Sequence, residues 1–408
     1  MLGSIAVGQT DVTGFLAGED CRATLQALRE MGVEIEEVDA TTLRISGVGM
    51  HGLRQPEGAL ELGNSGTAMR LFAGLLSGQS FDSTLTGDDS LSGRPMNRVI
   101  KPLSAMGAII GSDEGTPPLT VQGGKSLVGI NYRLPVASAQ VKSAILLAGL
   151  YAQGETFITE PGITRDHTER MLRSMGVRLD AGDGRICLPG EQSLRATRVQ
   201  VPADLSSAAF LMVAALIAPD CELLMQNVGV NPTRNGVISI LRQMGGEIIL
   251  EDARMLGEEP VADIRVRSSE LHGIDVDPAL VPLAIDEFPI LFIAAAAASG
   301  TTRFTGIGEL RVKESDRIDA MVRGLRALGM TVEERPDDVA IQGGNFSATT
   351  IDSRGDHRIA MSFAIAATRA DAAVQIKDVA TVDTSFPGFR ACLQSLGINI
   401  TQREGSIS

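Results

Sequence analysis

Hydrophobic residues recur at helical spacing six times along the chain, and each recurrence ends in glycine. Apolar residues three and four positions apart share one face of a helix, and a glycine at the helix end takes the positive φ that stops it. An alternating run such as Val33-Glu34-Ile35 or Val177-Arg178-Leu179 follows and predicts a strand. The six copies are Leu28–Gly32, Leu103–Gly107, Leu172–Gly176, Leu241–Gly245, Leu325–Gly329 and Leu393–Gly397.

Further segments between these copies are typical of strands and helices. We expect strands at Ser83–Leu85, Leu119–Val121, Ile264–Val266 and Val339–Ile341, and alanine-rich helices at Gln140–Leu150 and Ala208–Ile217. Each repeat is therefore a small α/β module, and three such modules fill a typical domain. Six modules predict two related domains, residues 1–228 and 229–408, joined near Val228-Gly229 after a strand at Glu222–Gln226. The alternative is a rigid repeat scaffold with a binding surface.

The longest apolar runs, Ser207–Ala218 and Ile290–Ala298, are too short to span a bilayer and predict buried helices. The opening residues Met1–Ala6 have neither a basic stretch nor a long apolar core, so they do not resemble a signal peptide. They resemble the second half of a helix, because no N-cap residue precedes them.

Composition limits the class of ligand. The 408 residues are 44% hydrophobic and carry a formal net charge of −14, with 3% aromatic residues and no tryptophan. Nucleic-acid binders need a basic face or stacking rings, so this balance argues against them. The arginines are better suited to a small polyanion in a local cleft. Four scattered cysteines and four histidines without ligand spacing predict reduced thiols and no metal site.

The segment Leu62–Arg70 has the chemistry of an anion site. Asn64, Ser65 and Thr67 are helix-capping types, and glycine lets the backbone approach a ligand at the start of the helix. The alternative is an ordinary capped helix. Further cations stand beside turn or carboxylate residues in Gly93-Arg94-Pro95, Thr164–His167, Arg311–Arg317 and Asp356-His357-Arg358.

Three further motifs combine carboxylates or polar donors with helix starts. Glu314 and Arg317 are expected one helical turn apart with Lys313 nearby, either as a proton-transfer group among cations or as a solvated ion pair. Asp286-Glu287 begins a hydrophobic run and contains either a base or a helix cap. Ser138-Ala139-Gln140 opens a helix with hydroxyl and amide donors, or simply caps it.

In this order the motifs resemble the enolpyruvyl transferase family, over the whole chain, and most closely its branch that acts on shikimate 3-phosphate. The resemblance implies two domains, each of three βαβαββ-type modules around a pseudo-threefold axis, an inside-out α/β barrel. It implies transfer of the enolpyruvyl group of phosphoenolpyruvate to the 5-hydroxyl of shikimate 3-phosphate, with release of phosphate. No cofactor or metal, no nucleic acid or membrane partner, a monomer and a cytoplasmic location are also implied. The motifs are Leu62–Arg70, Gly93–Met96, Ser138–Ala144, Thr164–Thr168, Arg311–Arg317 and Asp356–Met361.

The resemblance also assigns residues. Asp286 would take the proton of the 5-hydroxyl, and Glu314 would exchange a proton at the enol carbon. Arg165 would hold the phosphate of shikimate 3-phosphate. Phosphoenolpyruvate would be held by Arg94, Arg317 and Arg358. The implied substrate-binding set is Asn64, Gly66, Arg94, Ser138, Ala139, Gln140, Arg165, Lys313, Arg317 and Arg358.

One departure from the family pattern and one rival branch have to be considered. Family members carry a Lys-Ser…Arg segment that would precede Met1, so the chain is expected either to start upstream, to be a fragment, or to be a noncatalytic member of the fold. The branch that acts on UDP-N-acetylglucosamine normally has a catalytic cysteine in a loop of its first domain. The corresponding residues here, Asp88–Pro95, contain none, which disfavours that branch.

Overall fold

The computed structural model describes residues 1–401 and separates into two compact units. The first unit comprises Met1–Pro202 together with Arg254–Val261, and the second comprises Ala203–Ala253 and the chain from Ala262 onward. By contacts, the second unit thus begins upstream of the expected join at Val228-Gly229, because Val228 is fully buried in the core of the second unit. The assignment of residues 1–228 and 229–408 to domains of three modules stays a prediction.

The first unit contains seven helices and thirteen strands within the described residues. The helices are α1 Leu2–Ile5, α2 Glu19–Glu30, α3 Gly66–Ser77, α4 Asp89–Ser92, α5 Asn97–Ala105, α6 Ala139–Gly149 and α7 His167–Ser174. The strands are β1 Ala6–Thr13, β2 Glu34–Asp39, β3 Thr42–Val48, β4 Leu60–Glu61, β5 Ser83–Thr86, β6 Ile109–Asp113, β7 Thr116–Gln122, β8 Asn131–Arg133, β9 Glu155–Thr159, β10 Asp180–Gly182, β11 Arg185–Pro189, β12 Leu194–Arg195 and β13 Arg198–Gln200.

Three sheets in the described part of this unit cover a core of helices. Their strand orders are β12-β1-β3-β2, with β13 also paired to β1, then β4-β5-β7-β6 and β10-β11-β9-β8. Helix α6 is buried on all sides, because every residue from Val141 to Gly149 is buried. It packs closely on α3 at Gly74, where a Cβ would lie 2.2 Å from the carbonyl oxygen of Ala144.

The second unit has the same kind of organisation. Its helices are α8 Leu205–Ile217, α9 Gly236–Gln243, α10 Val281–Ala284, α11 Phe288–Ala297, α12 Arg317–Ala327, α13 His357–Ala366, α14 Val382–Ser385 and α15 Phe389–Ser395, with 3₁₀ turns at Pro278–Leu280, Gly308–Val312 and Ala367–Arg369. The strands are β14 Glu222–Gly229, β15 Glu247–Leu256, β16 Glu259–Arg267, β17 Thr301–Thr305, β18 Thr331–Glu334, β19 Asp338–Gln342, β20 Thr350–Asp352 and β21 Gln375–Lys377.

Three sheets again surround buried helices here, as far as the described chain extends. The strand orders are β14-β16-β15, β17-β19-β18 and β20-β21. Helices α8, α11 and α13 pack against one another, and α11 is buried from Phe288 to Ala296. An apolar helix surface that faces other helices instead of water explains why the runs at Ser207–Ala218 and Ile290–Ala298 have no polar face. Both were predicted as buried helices.

The tip of the β15–β16 hairpin, Arg254–Val261, belongs to the first unit. Arg170 in α7 donates from Nη1 to the carbonyl oxygen of Glu258 at 2.7 Å. His167 Nδ1 and Glu259 Oε1 lie 2.8 Å apart. The first unit is therefore assembled from two separate stretches of the chain.

The helix ends predicted from the repeats are confirmed. The glycines that close the six copies all have positive φ, between 83° and 101°. Glycine has no Cβ and therefore adopts the left-handed conformation at little energetic cost. A residue in this conformation ends the helix and turns the chain towards the sheet. These glycines are Gly32, Gly107, Gly176, Gly245, Gly329 and Gly397.

The strand expected after each copy is not always present. Val177-Arg178-Leu179 lies outside a strand, and β10 starts only at Asp180. The side chain of Gln192 accepts a hydrogen bond from the backbone N–H of Arg178 and donates one to its carbonyl oxygen, at 2.9 Å each. This amide takes the place of a partner strand. After the sixth copy, the residues up to Thr401 form no strand. The opening residues Leu2–Ile5 are helical, as predicted.

Among residues 1–401, no helix combines the length and the apolar character that a membrane crossing requires.

Candidate functional site

The start of α3 forms the first of two clusters of the predicted site residues. Ser65 caps the helix by accepting a hydrogen bond from the backbone N–H of Ala68 at 3.3 Å. Asn64 donates from Nδ2 to Asp88 Oδ2 at 2.8 Å, which turns its carbonyl oxygen towards Arg94. The Nη2 group of Arg94 donates to that oxygen at 2.6 Å. The amide therefore orients the guanidinium without neutralising its charge.

Arg70, one turn into α3, adds a second guanidinium to Arg94. A Cβ built on Gly66 would lie 2.9 Å from Arg70 Nη1 and 3.3 Å from Arg94 Nη1, so both guanidiniums crowd this glycine. Within residues 1–401, the two guanidiniums donate only to neutral oxygens, and neither has a carboxylate within ion-pair distance. Burial, and then the charges of Arg94 and Arg98, lower the pKa of Arg70 to about 10. Two crowded cations without a protein carboxylate form a seat for an external anion.

The start of α6 belongs to the same cluster. Gln140 accepts from Arg70 Nη1 at 2.7 Å and donates from Nε2 to Thr67 Oγ1 at 2.7 Å. Ser138 is the N-cap of α6 and accepts from the backbone N–H of Val141 at 3.4 Å. The capping interpretation of Ser138 is thus confirmed, and Ala139 begins the helix. We name Asn64, Gly66, Arg70, Arg94 and Gln140 the first-unit cluster.

Arg165 lies in the connection between β9 and α7, half-buried and next to Thr164. The hydroxyl of Thr164 donates to Glu160 Oε1, which ties the connection back to the end of β9. Asp166, at the N-cap position of α7, accepts a hydrogen bond from Arg170 Nε at 2.8 Å. The connection is therefore held from both sides of Arg165.

The second cluster, in the second unit, is organised by Arg317. Its side chain is 1% exposed, and Nε donates to Asp356 Oδ2 at 2.8 Å. The Nη2 group donates to Glu314 Oε2 at 2.6 Å. The Nη1 group lies 3.7 Å from Asp286 Oδ1, is buried, and has no hydrogen-bond acceptor among residues 1–401. One donor of this guanidinium is thus left for a ligand.

The predicted contact of Glu314 with Arg317 is confirmed, but the alternative of a solvated ion pair on a helix is not. Glu314 precedes the helix, because Asp316 caps α12 by accepting from the backbone N–H of Asp319 at 3.0 Å. The pair is not a solvated one either, since Arg317 is buried while Glu314 is 40% exposed. A buried arginine that donates to a partly exposed carboxylate is more typical of a ligand site than of an ion pair on a helix surface.

Asp286 contacts the remaining predicted residues of the second cluster, Lys313 and Arg358. Lys313 Nζ lies 3.5 Å from Asp286 Oδ1. Arg358 donates from Nη1 to the backbone carbonyl oxygen of Asp286 at 2.9 Å. We name Asp286, Lys313, Glu314, Arg317 and Arg358 the second-unit cluster.

Burial and the arginine charges of the second-unit cluster together leave the pKa values of three groups, Asp356, Glu314 and His357, below their usual values. Burial would raise the pKa of Asp356, but the Arg317 charge outweighs it and holds that pKa below its usual value. Burial and Arg317 act on Glu314 in the same opposed way, and its pKa is also lowered. Burial, and then the Arg358 charge, lower the pKa of His357 to about 4, so this imidazole is neutral at pH 7.

Sequence reasoning named Glu287 but missed its polar partners beside Arg358. Glu287 is 2% exposed, accepts a hydrogen bond from the hydroxyl of Ser206, and lies 3.9 Å from both Arg234 Nη2 and Arg358 Nη1. Arg234 also contacts Asp204 at 3.1 Å. The signal for Glu287 was its place at the start of a hydrophobic run, and no sequence pattern indicated its partners Ser206 and Arg234. Arg70 was visible inside the Leu62–Arg70 motif, but its lack of a carboxylate was not.

Comparison with known proteins identifies the family of the chain. A family model described as EPSP synthase (3-phosphoshikimate 1-carboxyvinyltransferase) matches residues 1–393. The chain is 57% identical over 401 residues to a 3-phosphoshikimate 1-carboxyvinyltransferase of Methylococcus capsulatus, covering 98% of this chain and 92% of that protein. It is 56% identical over 404 residues to the protein of the same description from Alkalilimnicola ehrlichii, covering 98% and 91%.

Among solved structures, the chain is similar to an EPSP synthase of Acinetobacter baumannii at 2.37 Å, with a TM-score of 0.90 and 52% identity. The match covers 98% of this chain and 92% of that chain. A likeness at this level confirms the expected inside-out α/β fold.

Proposed function

Because the chain belongs to the EPSP synthase family, we propose that it transfers the enolpyruvyl group of phosphoenolpyruvate to the 5-hydroxyl of shikimate 3-phosphate and releases phosphate. The reaction is a step of the shikimate pathway to aromatic amino acids. The observation that carries the proposal is the crowding of Arg70 and Arg94 around Gly66 without a carboxylate partner in the described chain. Two phosphorylated substrates that repel each other need such cations to bind side by side.

In the first unit, Ser138, Gln140 and Arg165 bind shikimate 3-phosphate, with the guanidinium on the phosphate and the backbone of Ala139 alongside. Arg94 binds phosphoenolpyruvate, helped by Asn64 and the backbone at Gly66. This division is supported by the orientation of Arg94 by Asn64 and by the closeness of Gln140 to Arg70. Guanidinium forks suit phosphate and carboxylate groups because they donate two parallel hydrogen bonds.

In the second unit, Arg317 and Arg358 grip the phosphate and carboxylate of phosphoenolpyruvate, and Lys313 contacts shikimate 3-phosphate. Asp286 takes the proton of the 5-hydroxyl as its oxygen attacks the enol carbon bound to phosphate. Support comes from the cations beside the carboxylate of Asp286, since Lys313 Nζ lies 3.5 Å and Arg317 Nη1 3.7 Å from its Oδ1.

Glu314 exchanges the proton at the methylene carbon. In the free protein Arg317 keeps the pKa of this carboxyl low against the effect of burial, so it is a carboxylate at neutral pH. A bound phosphate on Arg317 competes for that positive charge and raises the proton affinity of Glu314. The carboxyl can then donate a proton to the carbon and later recover it as phosphate leaves.

Three further properties are part of the proposal. We expect a monomer that acts in the cytoplasm, as the family resemblance implies, and two domains of three modules each at residues 1–228 and 229–408. Light scattering of the purified chain at several concentrations tests the monomer. A mass that doubles with concentration contradicts it.

The reaction is tested by phosphate release from phosphoenolpyruvate with the purified chain, in the presence and absence of shikimate 3-phosphate. We expect release only when both substrates are present, together with one equivalent of an enolpyruvyl product by mass spectrometry. The Arg94→Ala variant should need about tenfold or more phosphoenolpyruvate for the same rate, because a charge-assisted contact is lost. Folded parent protein that releases no phosphate with both substrates contradicts the proposal.

A further inference from the structure

A buried ionic cluster of the first unit lies outside the residues assigned above. Lys142 in α6 has its Nζ 2.7 Å from Glu169 Oε1 and 3.2 Å from Glu160 Oε1. The exposed fractions of the three side chains are 1% for Lys142, 2% for Glu169 and 8% for Glu160. We name these three residues the Lys142 cluster.

The two carboxylates of the Lys142 cluster bracket the connection that carries Arg165. Glu160 follows directly after β9, and Glu169 lies in the first turn of α7. The hydroxyl of Thr164 donates to Glu160, and Thr168 Oγ1 lies 2.7 Å from Ser143 Oγ of α6. The connection is therefore fastened to α6 on both sides of Arg165.

The cation of the cluster belongs to the first turns of α6. The backbone N–H of Lys142 donates to the carbonyl oxygen of Ser138 at 3.1 Å, so Lys142 stands one turn after the residue that caps the helix. Gln140, which contacts Arg70, lies between them in the chain. The cluster thus links the turn bearing Ser138 and Gln140 to the connection bearing Arg165.

The Lys142 cluster holds two segments together through buried charges, whose removal from water costs free energy. Burial raises the pKa of Glu169, and the charge of Lys142 opposes that rise. Glu169 Oε2 is buried and has no hydrogen-bond partner among the described residues. A buried ion pair is often no more stabilising than apolar residues of the same volume, but its contacts are directional. Directional contacts set the register of the connection on α6 more narrowly than apolar packing does.

We propose that the Lys142 cluster positions Arg165 against the start of α6, so that one phosphorylated substrate meets Arg165, Ser138 and Gln140 together. The inference rests on the proposed function, which assigns these three residues to shikimate 3-phosphate. The members of the cluster act through them and do not touch the substrate. They are positioning residues, and their loss changes the binding of one substrate only.

The test substitutes Glu169→Gln, which keeps the volume of the side chain and removes its charge. We expect the KM for shikimate 3-phosphate to rise about tenfold, while the KM for phosphoenolpyruvate and kcat stay within about twofold, because only positioning of the first substrate is lost. Thermal unfolding verifies that the variant is folded at the assay temperature. If it is not, Glu160→Gln takes its place with the same expected result.

Tyr151→Phe is the matched control. It also removes a buried polar contact beside α6, since the Tyr151 hydroxyl donates to the carbonyl oxygen of Met50 and accepts from Gln79, each at 3.0 Å, but at the opposite end of the helix. Both KM values should remain at those of the parent. Equal rises of both KM values in Glu169→Gln, or no rise in either, overturn the inference.

Amide hydrogen exchange of the ligand-free protein provides a second readout. Residues 160–169 should exchange faster in Glu169→Gln than in the parent and in Tyr151→Phe, and unchanged exchange overturns the inference. If the parent releases no phosphate, the proposed reaction fails, and calorimetric titration with shikimate 3-phosphate decides the positioning role. Glu169→Gln must then bind this compound about tenfold more weakly. A parent that binds none of it overturns the inference as well.

Discussion

The guanidinium of Arg317 and the carboxylate of Asp356 lie 2.8 Å apart, and their side chains are 1% and 0% exposed. Neither charge can be rehydrated in place if the other is removed. The pair therefore fixes the position of α12 against the N-terminus of α13. Arg358 lies in this first turn of α13.

Arg317→Ala should therefore lower the free energy of unfolding by about 3–5 kcal/mol, because it leaves a buried carboxylate without its partner. Urea denaturation at pH 7 measures this loss. The control is Arg323→Ala on the same helix, whose pair with Asp319 is also 2.8 Å long but whose side chain is 68% exposed. We expect that variant to lose less than about 1 kcal/mol. Equal losses in the two variants contradict the prediction.

His357 should make stability depend on pH. Its pKa is about 4 in the folded protein because of burial and then the Arg358 charge, against about 6.5 in an unfolded chain. Between these values the unfolded state binds a proton that the folded state does not. The free energy of unfolding should therefore fall as pH drops from about 6.5 to about 4, by roughly 3 kcal/mol in total.

Urea denaturation at pH 7, 5.5 and 4.5 checks this dependence. His357→Gln should flatten the curve over that range, because the amide binds no proton in either state. His272→Gln is the control, since His272 is exposed in the folded protein and its loss should leave the slope of the parent. A parent curve with no decline between pH 6.5 and 4.5 refutes the prediction.

Gly66→Ala should impair substrate binding and Gly74→Ala should impair stability, although both glycines lie in α3. The Cβ at Gly66 meets the movable ends of Arg70 and Arg94, whereas the Cβ at Gly74 meets the backbone oxygen of Ala144 at 2.2 Å. Gly66→Ala should raise the KM for phosphoenolpyruvate about tenfold and leave stability nearly unchanged, because the guanidiniums shift while the helix does not.

Gly74→Ala should instead lower stability by about 1–3 kcal/mol, because α3 and α6 are forced apart. Steady-state kinetics and urea denaturation of both variants test the pair. The expected pattern is lost if Gly66→Ala unfolds at the same lowered urea concentration as Gly74→Ala.

Glu314→Gln should reduce kcat by about 10²–10⁴-fold with a smaller change in either KM, since the amide cannot exchange a proton with carbon. The Gln side chain still accepts a hydrogen bond from Arg317, so substrate contacts are kept. Solvent isotope incorporation into the methylene group of phosphoenolpyruvate should fall in parallel. A variant as active as the parent contradicts the proton-exchange role.

Local sequence signals predicted much of the fold. The glycines at the ends of the six copies were predicted to have positive φ, because glycine is the residue most suited to that conformation. Ser138 was recognised as a helix cap for a similar reason, since a cap is a contact within four residues. Val177–Leu179 was wrong as a strand because the competing partner, Gln192, is distant in sequence.

The site was predictable as a set of residue types and not as an arrangement. The pairing of Glu314 with Arg317 follows from their spacing, but the burial of Arg317 depends on Asp356, far along the chain. The importance of Arg70 depends on which carboxylates are absent from its surroundings, and no sequence pattern states that. The same limit applies to Lys142, whose two carboxylate partners are in other elements.

Exchange of gene segments with a relative must respect the discontinuous make-up of the first unit. A hybrid joined at Pro202 would combine α7 of one parent with the tip Arg254–Val261 of the other. The contacts of Arg170 with Glu258 and of His167 with Glu259 would then join residues of different ancestry. A chimera that also transfers the eight-residue tip keeps both contacts, so crossover sites in this protein come in linked pairs.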